Sequence, residues 1–248
     1  LSRRTMVADC YEMLLADFKC PETLNNLAVC RLQMALGMYD KQLLMAPAGI
    51  ESNWRLIYAF EVDPKFRLFG ESTRSSRGDN MDALLQRLLS ETSIAKAHFE
   101  EAIKLNPRYA TGYLNTAWAM LLEHLASHRY NLVVNKDPNV RGKNLDNAME
   151  MVQKAISLAL AQQLEVTRYN AELCYLLLKT RGQGIAFTID ELKKLSNSAP
   201  HPVNEYASVN LKVITGTLDA EKAGDLLFEA RKNEIPHYVL SICRQGEI

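Results

Sequence analysis

The sequence predicts an all-α protein, an array of helical hairpins stacked side by side. One spacing recurs along it. Ala95, Phe99, Ala102 and Pro107 stand at steps of four, three and five, and Ser52, Leu56, Ala59 and Pro64 repeat those steps. Ala148, Val152 and Ala155 give the first two steps again, as do Ala223, Leu227 and Ala230. Steps of three and four share one helix face, so each set is a small–large–small packing stripe rather than a catalytic motif. Helical periodicity also dominates the chain, and strand signals are almost absent. The markers Ser52, Ala95, Ala148 and Ala223 lie 43, 53 and 75 residues apart. The first two gaps fit single repeats of about 34 residues with insertions, and the last fits two repeats, one of them degenerate.

The elements follow in order. Residues 5–18 carry apolar positions at helical spacing. Pro21 suits the first turn of a second helix, and Gly37 is a plausible end for it. A helix over 50–62 stops at Asp63-Pro64, because proline disfavours a helical residue before it. Residues 70–80 are small and polar and read as a loop. Asn80 can cap MDALLQRLLS, and Ser93 can cap IAKAHFEEAIKL. A helix over 110–126 is followed by an interruption whose centre, YNLVV, is too short to found a sheet. Helices over about 145–160 and 165–180 come next, and Gly182 and Gly184 break the chain. The segment DELKKLS is short and polar-faced, and Pro200 and Pro202 punctuate again. Residues 203–215 and 219–232 form a last hairpin, with a capping segment at 236–248.

Composition narrows the function. With 29 basic and 29 acidic residues, the chain lacks the basic excess that phosphate tracking needs, which disfavours nucleic acid. No apolar run approaches the length of a membrane span, about 20 residues. Five cysteines with no CxxC pair point to reduced thiols in a cytoplasmic setting, used as small core residues. No cofactor motif occurs: GxSxG, the P-loop and GxGxxG are all missing from the sequence. His124 and His128 share a helix face, but the glutamate of HExxH is missing, so surface histidines are expected rather than metal ligands. Cys174, within AELCYLLLK, reads as core rather than nucleophile. An enzyme is therefore not expected.

The stripe over residues 95–107, running into Tyr113 and Ala117, resembles the tetratricopeptide repeat family, and Leu24, Leu27 and Ala28 echo its first helix. The resemblance is specific over residues 80–125, plausible over 20–64 and 145–180, and weak over 200–235. It departs from the family in the long loop after Leu125 and in the missing proline after Ala155. It implies a right-handed superhelical solenoid of antiparallel helix pairs over residues 1–248. Its repeats would be about 21–64, 80–107, 110–160, 165–197 and 202–235, with the chain open to being a fragment of a longer one.

The same resemblance implies a concave groove in which asparagines hydrogen-bond the backbone of an extended peptide. Asn26 and Asn115 each stand two residues before a small alanine, Ala28 or Ala117. Asn170 is near the matching place but displaced by one residue, a rotation of about 100°. A side-chain amide offers donors and an acceptor, so it suits a peptide of any sequence. The alternative is that these asparagines are solvated or tie neighbouring helices together. Arg31 and Arg168 are isolated candidates for a carboxylate clamp. The insertions at 70–80 and 127–144 carry Arg74, Arg77, Arg129, Lys136, Arg141 and Lys143, which suit an acidic partner or are solvated loop charge. The expected function is a scaffold binding a protein or peptide segment. The alternative is a regulatory domain packing against its own catalytic domain.

Overall fold

The computed structural model describes residues 3–43, 61, 81–133, 145–183 and 185–215. Every regular element among them is a helix: α1 (Arg3–Asp17), α2 (Pro21–Leu43), α3 (Met81–Leu105), α4 (Ala110–Val133), α5 (Asp146–Ala161), α6 (Glu165–Gln183), α7 (Ile185–Ser198) and α8 (Val203–Ile214). The all-α expectation holds. The expected helices at 50–62 and 219–232, the loop at 70–80 and the cap at 236–248 lie outside the described residues, apart from Glu61, which is not helical.

Each helix packs on the next, and short turns join α1 to α2, α3 to α4, α5 to α6 and α7 to α8. Turns this short make antiparallel neighbours. Helices α2, α4, α6 and α8 also touch one another in series, while α3, α5 and α7 each bridge two of them. One layer of even-numbered helices is thus backed by odd-numbered ones.

The small–large–small stripes form the seam between the layers. Ala95, Phe99 and Ala102 on α3 and Ala148, Val152 and Ala155 on α5 are all fully buried. The alanines let helix axes approach, and Phe99 fills the space between them. All but Ala102 belong to one continuous core that runs from Ala28 on α2 through Trp118 on α4 to Ala207 on α8. Gly112 serves the same end, since a Cβ there would stand 2.9 Å from the Tyr109 ring and 3.2 Å from Ile103.

Five boundaries differ from expectation. Helix α6 runs through Gly182, read as a break, to Gln183. Helix α2 runs past Gly37 to Leu43. Helix α3 is continuous through Ser93, so that residue caps nothing, and residues 80–107 contribute one long helix rather than a pair. Thr92, just before Ser93, donates its hydroxyl to the Leu88 carbonyl at 2.6 Å, a bond made inside the continuing helix. Helix α4 continues to Val133 through Tyr130, which packs partly buried against the core. Helix α7 starts at Ile185 and takes in the polar segment DELKKLS, with Leu192 as its fully buried anchor.

The α5–α6 turn is closed without glycine. Gln163 takes φ 57°, its N–H bonds the Leu160 carbonyl at 3.2 Å, and the Leu164 N–H bonds the Ala159 carbonyl at 2.9 Å. This is the Schellman pattern, in which glycine is the unstrained choice for the left-handed residue. Gln162 donates to the Arg108 carbonyl at 2.7 Å, fastening this turn to the α3–α4 turn.

Candidate functional site

Helical spacing puts Thr111 and Asn115 on one face of α4, and Thr167 and Asn170 on one face of α6. Asn25 joins them from α2. These five side chains converge on a single residue from the connection between α2 and α3, Glu61.

Asn115 brackets the Glu61 backbone. Its Nδ2 donates to the Glu61 carbonyl at 2.7 Å, and its Oδ1 accepts the Glu61 N–H at 2.9 Å. Asn25 Nδ2 donates to the same carbonyl at 2.9 Å. The two asparagines are themselves joined, Asn115 Nδ2 donating to Asn25 Oδ1 at 2.7 Å, and Asn25 Nδ2 reaches Asn26 Oδ1 at 3.3 Å. One amide thus satisfies both the donor and the acceptor of another chain segment, as a strand neighbour would.

The Glu61 side chain is held separately. Asn170 Nδ2 donates to Oε1 at 2.9 Å. Thr167 Oγ1 donates to Oε2 at 2.9 Å, and Thr111 Oγ1 stands 3.4 Å from the same oxygen. The Trp118 indole N–H donates to Asn170 Oδ1 at 3.2 Å, which fixes the orientation of that amide. Among the described residues no lysine or arginine pairs with this carboxylate. Burial raises its pKa above the usual glutamate range, and the hydrogen bonds from Asn170, Thr167 and Thr111 work against that rise.

Asn25, Asn26 and Asn115 are fully buried, and Asn170 is 1% exposed. With Glu61 seated, these amides present no open surface. Two of the three expected asparagines therefore act at one place. The one-residue displacement of Asn170 does not turn it away, since it meets the carboxylate while Asn115 meets the backbone. Asn26 is placed beside the site, and its neighbour Asn25 makes the contact with Glu61. Alignment to the small alanine chose Asn26, and one helical residue is a rotation of about 100°. Thr111 and Thr167 were missed, although their spacing to Asn115 and Asn170 could have found them. Nothing local marks Glu61, because its role depends on partners far along the chain.

The expected arginines are engaged elsewhere. Arg31 Nε pairs with Glu91 at 3.0 Å, and its other nitrogen pairs with Glu12, tying α1, α2 and α3 together. Burial opposes the Arg31 charge, but Glu91 and then Glu12 outweigh it and raise its pKa. Arg168 pairs with Glu172 at 3.3 Å and lies 4.1 Å from the Tyr169 ring centroid. The two basic insertions fall largely outside the described residues, although the helical backbone of α4 extends into 127–133.

Cys174 is fully buried, and burial pushes its thiol well up, which disfavours the reactive thiolate. Among the described residues no three His, Cys, Asp or Glu side chains gather as a metal site would require, and no helix is long and apolar enough to cross a membrane. No family model, curated protein or solved structure matches the chain.

Proposed function

We propose that this chain is a protein-interaction scaffold, an irregular tetratricopeptide-like array wound as a right-handed superhelix. It holds a peptide segment along the layer formed by α2, α4, α6 and α8. The observation that carries this reading is the Asn115 amide, which pairs with both the N–H and the C=O of one non-helical residue. That contact is independent of the side chain it serves, so it suits an extended peptide from another protein. The serial packing of the even-numbered helices supports a continuous surface for such a segment. Cys10, Cys20, Cys30 and Cys174, none of them in a disulfide, fit a reducing, cytoplasmic setting. The mechanism is preorganised binding without chemistry, and neither nucleic acid nor membrane is the partner.

Panning a displayed library of short linear peptides against the full chain tests this. Binders should be lost on Asn115→Ala with helicity retained. Binders that survive the substitution would move the binding surface elsewhere.

A further inference from the structure

We infer that the chain pairs with a second copy of itself through the end of the array where α1 turns into α2, α3 into α4 and α5 into α6. The pairing is two-fold, with the α3–α4 turn of one copy set on the α5–α6 turn of the other.

These three turns lie side by side. Lys19, in the α1–α2 turn, pairs with Glu101 near the end of α3. Gln162, just after α5, donates to the Arg108 carbonyl at 2.7 Å. Along this row apolar side chains stay in water: Phe18 is 55% exposed, Leu105 49%, Leu160 56%, Leu164 40% and Val166 41%. Among the described residues the other large apolar side chains left exposed are Met13 and Ile94. Scattered apolar residues on a surface are ordinary, but a row of them along one edge marks a contact surface. Closing the α5–α6 turn does not require its exposed leucines, because backbone bonds such as Leu164 N–H to the Ala159 carbonyl at 2.9 Å do so.

Charge decides what covers this edge. Lys104 and Arg108 flank Leu105 on the α3–α4 side, and Glu165 stands between Leu164 and Val166 on the α5–α6 side. All three charged side chains are exposed, and among the described residues none of them forms an ion pair. A surface made for a partner of one sign carries the opposite sign throughout. An edge with a basic half and an acidic half is instead complementary to its own copy after a half-turn. That rotation sets Lys104 and Arg108 of each copy on Glu165 of the other and presses the leucines together between them. The chain has no net charge, so two copies approach without long-range repulsion.

Sedimentation velocity of the full chain over a roughly hundredfold concentration range should show a monomer–dimer equilibrium. Leu160→Asp should weaken it about tenfold or more with the melting midpoint unchanged. Arg108→Glu alone and Glu165→Arg alone should each weaken it by about tenfold, because like charges then face each other. Mixed in equal amounts, these two variants should associate again as a heterodimer, since each supplies the charge that the other lacks. A wild type that stays monomeric over the whole range overturns the pairing and leaves the edge to a different protein. A dimer unaffected by Leu160→Asp overturns this edge as the contact. Charge variants that stay apart on mixing overturn the two-fold arrangement.

Discussion

Two seams of this molecule solve the same packing problem with different chemistry. Between α3, α5 and their neighbours the contact is apolar, made by Ala95, Phe99, Ala102, Ala148, Val152 and Ala155, all fully buried. Between α2, α4 and α6 the contact is polar, made by Asn25, Asn115, Asn170 and Thr167 around Glu61. The apolar seam depends on volume and tolerates pH. The polar seam depends on complete pairing, because a buried donor or acceptor left alone costs about 1–3 kcal/mol. The first holds helices together, and the second holds a chain segment that reaches the helices from outside them.

The comparison breaks first at Phe99. Phe99→Ala should lower stability by about 3–5 kcal/mol in chemical unfolding, since it removes the only large member of its stripe. A loss under about 1 kcal/mol would mean that the seam collapses around the gap. Asn115→Ala should cost about 1–3 kcal/mol, because the Glu61 N–H loses its acceptor and its carbonyl loses one of two donors. Ala102→Leu should also cost about 1–3 kcal/mol through overpacking. An unchanged melting midpoint would contradict the close helix approach at that residue.

The polar seam should also carry a pH signature that the apolar seam lacks. The folded-state pKa of Glu61 is raised. Its contribution to stability is therefore fully present below the unfolded pKa and is lost as pH rises through the folded one. Glu61→Gln removes this titration, and the threonine hydroxyls can turn to accept from the new amide. Melting measured across pH should show the variant gaining on wild type from the ordinary glutamate range upward. Parallel curves would place the carboxylate in water. The smallest effect is expected away from both seams. Gln163→Gly relieves a left-handed residue and should stabilise by about 0.5–1 kcal/mol.

The two seams were not equally legible in the sequence. The stripe at Ala95, Phe99 and Ala102 could be read directly, because a helix face is fixed by local spacing alone. The same holds for the succession of helices, except at Gly37 and Ser93, where α2 and α3 continue through residues that read as a stop and a cap. The site was legible by halves. Asn115 and Asn170 were found through a repeat resemblance. Glu61 was not, since its bonds to Asn115 and Asn170 span 54 and 109 residues of chain. Local periodicity carries no information across such distances.

The most direct measurement is hydrogen exchange at the Glu61 amide, followed by NMR in wild type and Asn115→Ala. The N–H donates to Asn115 Oδ1 at 2.9 Å, so it should exchange well below the rate of an unstructured peptide and lose that protection selectively in the variant. Exchange at the unprotected rate in wild type would contradict the occupation of the asparagine site by this chain's own glutamate.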